Sequence, residues 1–158
     1  MSLPGFRVMK RLTKSRGASA IEFAIILPLL LLIIFGTIEF GFLLYNKQVI
    51  TNASREGSRA GIVARTPTRL PAFGSPSVDQ IVQLYCAQNL ITFDYAQPPP
   101  VTSFPDGFNA NALFGENLRV RVAYNYQFLI FPDIVIAFFR NSPERQITLI
   151  AETVMRYE

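Results

Sequence analysis

The sequence predicts an α+β protein, with a single long N-terminal transmembrane helix extending into a small extracytoplasmic head with antiparallel strands. Three observations carry that expectation. Phe23 to Ile38 contains no charge, and apolar residues continue through Phe40 to Tyr45. After Pro28 no proline interrupts the chain before Pro67. From Leu118 onward apolar and polar residues alternate with a period of two, the mark of a half-buried strand. The chain divides accordingly into a basic leader (1–17), a transmembrane helix (18–45), an extension of that helix (46–65) and the head (66–158).

A chain of 158 residues accommodates one modest domain plus an appendage. Only 16% of its residues are charged, against roughly 25% in soluble domains. The shortfall lies mainly between Ala18 and Tyr45, where Glu22 and Glu39 are the only charged residues. The net charge of +4 is equally local, because Arg7, Lys10, Arg11, Lys14 and Arg16 crowd the N-terminus. A nucleic-acid footprint would spread Lys and Arg along a folded face. The cluster reads instead as a topology signal, and no nucleic-acid partner is expected. Cys86 is the single cysteine, so no intrachain disulfide can form, and the absence of histidine removes His-based catalysis and most zinc-site patterns. With no G-x-S-x-G, no P-loop and no acidic cluster at metal-ligand spacing, no enzymatic activity, cofactor or metal is expected.

A helix needs about 20 predominantly apolar residues to cross the hydrocarbon core, and Phe23 to Tyr45 supplies them with Glu39 as the one interior charge. A buried helix of a soluble protein would carry a polar stripe, and here apolar residues occupy every face. A cleaved secretory signal would be shorter and would end at a small-x-small site, which does not follow this run. The basic cluster ahead of the span places the N-terminus in the cytoplasm and everything after Tyr45 outside. Membrane lipid is therefore the first expected partner. An ionisable group inside such a span is costly and calls for a partner. Glu22 lies at the start of the helix, where a carboxylate complements the macrodipole.

The residues around Glu22 suggest more than a dipole contact. A basic leader ends in Gly17, Glu22-Phe23 follow five residues on, and a long apolar helix comes next. This arrangement resembles the processing site of type IV prepilins and pseudopilins. The longer stretch "RGASAIEFAIILPLLLLIIFGTIEFGFLLYNKQVITNASREGSRAG", with "AETVMRYE" near the C-terminus, resembles the TadE-like family, minor pilins or pseudopilins of the Tad (tight adherence, Flp-pilus) system. The resemblance implies cleavage between Gly17 and Ala18 by a prepilin-type peptidase, with other Tad pilus subunits and assembly proteins as partners. It also implies an assembly role for Glu22 and Phe23. Once the leader is removed, the new α-amino cation of Ala18 would sit at the edge of an apolar helix, and Glu22 of a neighbouring subunit could neutralise it. A permanently signal-anchored binding domain, never processed, is the alternative.

Beyond the membrane the helix should continue to Val63, with Pro28 kinking its lower part. Ala53, Gly57, Ala60, Gly61 and Ala64 fall on one narrow arc, with Arg55, Arg59 and Ile62 opposite. Each mid-helix glycine costs about 1 kcal/mol relative to alanine. The glycines therefore either allow close packing of the head's sheet on this arc or mark a weakened helix end.

Thr66 to Ser77, rich in Pro, Gly and Ser, reads as a loop. Val78 to Leu90 reads as a helix with Ser77 as N-cap and apolar positions Val78, Ile81, Val82, Leu84 and Tyr85. Cys86 belongs to its core face, with a redox or lipidated thiol as the lesser reading. Gln97 to Gly115 reads as irregular, with a turn at Asp106-Gly107. Val120, Val122, Tyr124, Tyr126 and Phe128 form the apolar side of one strand, and Arg145 to Tyr157 can form a second. Between them the apolar 128–139 segment, followed by a turn at "RNSPE", packs in the head's own core or touches membrane or another subunit.

Overall fold

The computed structural model describes residues 15–63, 70–92, 98–109, 111, 113–128 and 146–157. Most of the leader, residues 129–139 of the apolar segment and the "RNSPE" turn lie outside the described residues. The element order is α1 (Ser15–Ile62), α2 (Val78–Asn89), β1 (Val101–Ser103), β2 (Asn117–Gln127) and β3 (Gln146–Arg156). This is an α+β layout, one long apolar helix with a short helix and a three-stranded antiparallel sheet. The chain forms two compact units, one up to Phe35 and one from Gly36 onward.

In the N-terminal unit α1 runs without interruption through Pro28. Its apolar residues occupy all sides and, with Leu27 partly exposed, stand open, so among the described residues nothing within this unit covers them.

The C-terminal unit is built on the remaining turns of α1. α2 begins where Ser77 accepts a hydrogen bond from the Gln80 amide at 3.1 Å, satisfying one of the free amides of its first turn. Val78, Val82 and Cys86, spaced by four, form its buried face, while Leu84 points to solvent. Tyr85 and Ile81 flank that face and are partly buried.

The sheet has the order β1-β2-β3. In β2 the alternation is complete: Leu118, Val120, Val122, Tyr124 and Tyr126 are buried and the residues between them are not. β2 pairs along its full length with β3, from Asn117↔Arg156 to Gln127↔Gln146. Leu149 and Ala151 carry the buried face onto β3. β1 is a strand where an irregular stretch was expected. Its three residues follow three prolines, too short a run to show a period, and they become a strand only by pairing with Arg121 to Ala123. The turn at Asp106-Gly107 closes as expected, with the Gly107 amide donating to the Phe104 carbonyl at 2.9 Å and Gly107 at φ +82°.

The core consists of Ile50, Ala53, Val78, Val82, Cys86, Leu118, Val120, Val122, Tyr124 and their neighbours. Ile62, expected on the arc facing away, belongs to this core. It is the last residue of α1, where the core closes around the helix end together with buried Leu70, so the division into two faces fails in that turn.

Candidate functional site

The first functional feature is the anchor. The most apolar window of α1 has a mean hydropathy of 2.6, and none of it is buried. A core helix of a soluble protein would be covered by its own fold. An uncovered helix, apolar on every face, is long and apolar enough to cross a bilayer and is suited to one.

Within it, Gly17, Ala18, Glu22 and Phe23 are exposed. A Cβ built on Gly17 would meet nothing within 4 Å, so the space around that peptide bond is open. α1 already begins at Ser15, with no acidic residue in its first turn, and Glu22 lies two turns in. A dipole contact acts within the first turn. In the unprocessed chain Glu22 therefore lies beyond the reach of that effect.

The second feature is the seam along which α1 meets the sheet and α2. Ala53 is fully buried, and Gly57, Ala60 and Gly61 are buried too. A Cβ on Gly57 would stand 2.6 Å from Val82 Cγ2, and one on Gly61 would stand 2.5 Å from Leu118 Cδ2. Both positions are closed to any side chain unless the neighbour moves. Arg55 and Arg59 point away, and Arg59 pairs at 2.5 Å with Glu56 one turn back.

The same seam contains polar residues that sequence reasoning did not assign. Glu39 is 1% exposed, and the Tyr126 hydroxyl donates to its Oε1 at 2.6 Å. Seven residues on, buried Asn46 uses both ends of its amide. Its Nδ2 donates to the Ile91 carbonyl at 2.9 Å, and its Oδ1 accepts from the Ile91 amide at 3.0 Å. The Ser54 and Thr153 hydroxyls share a hydrogen bond of 2.7 Å. Lys47 Nζ donates to the Ile150 carbonyl. A signal for these residues was present. Three, seven and fourteen residues before Ala53 lie Ile50, Asn46 and Glu39, the heptad-like spacing of one helix face.

Burial and hydrogen bonding shift the titrating groups of this unit in predictable directions. Burial pushes the Tyr126 phenol up, and the hydrogen bond to Glu39 adds to that. Burial alone pushes the Cys86 thiol up to about 11. At neutral pH Cys86 is thus a protonated core residue, the opposite of the electropositive, exposed setting of a reactive cysteine. On the outer face of the sheet Arg119 bonds Asp106 at 2.9 Å and Glu152 at 2.8 Å, and Arg121 bonds the other Glu152 oxygen at 2.8 Å. The two guanidinium groups hold the Glu152 carboxyl below its usual range. Among the described residues no group of three or more His, Cys, Asp or Glu could hold a metal ion.

No curated protein and no solved structure gives a match. The family model described as TadE-like protein matches residues 17–59, which start at Gly17, include Glu22, Phe23 and Glu39, and end within the glycine seam. From Gly17 to Arg59, therefore, the chain is similar to the TadE-like family.

Proposed function

We propose that the chain is a membrane-anchored structural subunit of a Tad (Flp-type) pilus, a minor pilin or pseudopilin. The observation that carries this reading is the TadE-like match beginning at Gly17, directly after five basic residues and ahead of an uncovered apolar helix. The basic leader stays in the cytoplasm and the C-terminal unit lies outside. A prepilin-type peptidase cuts between Gly17 and Ala18, where small exposed residues leave the backbone open to a protease. The mature helix then packs laterally with those of other subunits, while the C-terminal unit stays docked on its upper turns.

The test is the mature N-terminus. Intact mass of the protein recovered from membranes of a host that carries the peptidase should correspond to a chain beginning at Ala18. Gly17→Val, which adds a β-branched side chain at the cut, should block processing.

The rival reading is an unprocessed signal-anchored binding domain. One observation favours it: the turn at Leu113-Phe114 presents two large apolar side chains to solvent. Backbone hydrogen bonds from Gly115 to Tyr157 and from Glu116 to Leu113 fix that turn. Wild-type protein that keeps Met1 to Gly17 in the presence of the peptidase would overturn the pilin reading in favour of this one.

A further inference from the structure

The apolar run of α1 and the territory of the C-terminal unit overlap. On the side facing the sheet, protein covers α1 from Glu39 upward, with Phe42 and Leu43 packed on the core and Asn46 buried. On the opposite side Phe40, Leu44 and Tyr45 are exposed at 60%, 51% and 46%. Exposed polar residues take over that side only from Gln48, followed by Arg55 and Arg59. For two turns, then, one side of the helix is suited to lipid while the other is already inside a folded unit.

Helix rise gives this overlap a scale. Ala18 to Ile38 rises roughly 30 Å, which matches a hydrocarbon core of about 30 Å. Glu39 to Tyr45 adds roughly 10 Å, comparable with the 5–8 Å or so of headgroup layer on each side. The sheet end at this level is the one where Tyr126 meets Glu39, Tyr126 pairs with Ile147, and Phe128 stands edge-on to Tyr126 at 5.9 Å. Ile147, one residue from the last pair at that end, is 37% exposed.

We propose that the C-terminal unit beds in the outer headgroup layer of the bilayer. Lipid contacts Phe40, Leu44 and Tyr45 on one side of α1, and the sheet end at Ile147 lies at the same depth on the other. The occupant is lipid because the exposed strip continues, with no charged residue from Phe23 to Tyr45 on that side, the sequence run that forms the membrane span. The arrangement also accounts for a carboxyl within that run. Glu39 sits at membrane depth but is screened from lipid by the sheet, with the Tyr126 hydroxyl as donor. The inference rests on the membrane-anchored reading above, and the experiment separates the two.

The chain contains no tryptophan, so a single substitution gives an unambiguous fluorescent probe. Leu30→Trp, Leu44→Trp, Ile147→Trp and Phe114→Trp would each be placed in the full chain. Each variant is reconstituted in two sets of phosphatidylcholine vesicles, with acyl chains brominated near the headgroup or near the chain end, the second set being the one that reaches Leu30→Trp at mid-bilayer. Gln146→Trp, an exposed site beside Ile147, repeats that measurement without touching the core-facing side. Leu44→Trp, Ile147→Trp and Gln146→Trp should lose emission to the brominated lipid. Phe114→Trp, at the opposite end of the sheet, should be quenched only by aqueous acrylamide.

If both sheet-end probes behave like Phe114→Trp while Leu30→Trp is quenched by lipid, the unit stands clear of the bilayer and the inference is wrong. If Leu44→Trp is shielded from both quenchers as protein concentration rises, a second copy covers the strip, which also overturns it. Failure of Leu30→Trp to respond to brominated lipid would instead remove the membrane-anchored reading itself.

Discussion

Glu39 and Tyr126 lie 87 residues apart in sequence and 2.6 Å apart in the fold. A buried carboxyl is tolerable where a donor meets it, and removing that donor leaves a desolvated acceptor worth roughly 1–3 kcal/mol. Tyr126→Phe should therefore destabilise the C-terminal unit by about that amount. Glu39→Leu with Tyr126→Phe should lose less than the two single variants summed, since the double change removes both polar groups. Urea unfolding in detergent micelles measures both effects, and strict additivity would mean that the bond contributes nothing. A second residue-scale expectation concerns Cys86. Its folded-state pKa of about 11 lies above the ordinary thiol value, near 8.5. Its contribution to stability is thus complete below about pH 8.5 and lost as pH climbs through 11. Iodoacetamide at pH 8 should leave the native protein unmodified and label the unfolded one. Stoichiometric labelling of native protein would place the thiol at the surface. Glu39 was visible in the sequence as the exception within an apolar run. Tyr126 was visible only as one more residue on a strand's apolar side, because nothing in one dimension pairs them.

Elements with a strong period were legible, and those defined by their neighbours were not. β2 was readable because five alternating residues repeat one choice between core and water. α2 was readable from Ser77 and the spacing of its apolar residues, although Leu84 shows that periodicity overstates the buried face. β1 was not readable, since three residues hold no period and the strand exists through its register with β2. The seam of α1 lies between these cases. Small residues at Ala53, Gly57, Ala60 and Gly61 mark a close approach, but its partners could be named only in the fold. At Gly57 the obstructing atom belongs to Val82, a stiff β-branched side chain that is fully buried. Gly57→Ala gains up to about 1 kcal/mol of helix propensity and loses about 1–3 kcal/mol to overpacking, so a net loss is expected. Gly57→Leu and Gly61→Leu should be far worse, while Arg55→Ala, on the exposed side, should change little. Protease resistance of the C-terminal unit reads this out. Unchanged resistance in both leucine variants would show that the helix and sheet are not held by close packing there.

At the scale of the whole molecule, the composition separates a unit with its own core from an apolar helix, and in the reading proposed above the boundary at Gly17 would decide what the chain becomes. Before cleavage, Ala18 is an uncharged position inside α1 and Glu22 an exposed carboxyl two turns from its start. Cutting after Gly17 removes the leader's cations and creates an α-amino group four residues from Glu22. In water an α-amino group and a carboxyl group ordinarily carry opposite charges near neutrality. At the edge of the hydrocarbon each loses hydration, and a partner of opposite sign offsets much of that loss. Two geometries can provide the partner. Pairing within one chain uses the one-turn spacing of neighbours on a helix and leaves assembly indifferent to Glu22. Pairing between chains makes each subunit's amine depend on its neighbour's carboxyl, so that insertion and assembly are coupled. We expect the second. Glu22→Ala should leave the cut at Gly17 largely intact yet reduce co-purification of other pilus components. Glu22→Gln should do the same, because it keeps the size and removes the charge, and Glu22→Asp should be poorly tolerated because of its shorter reach. The mature N-terminus and the co-purified partners are measured for each variant. If Glu22→Ala is processed and still assembles at wild-type levels, the carboxylate pairs within its own chain and the coupling between subunits must reside elsewhere.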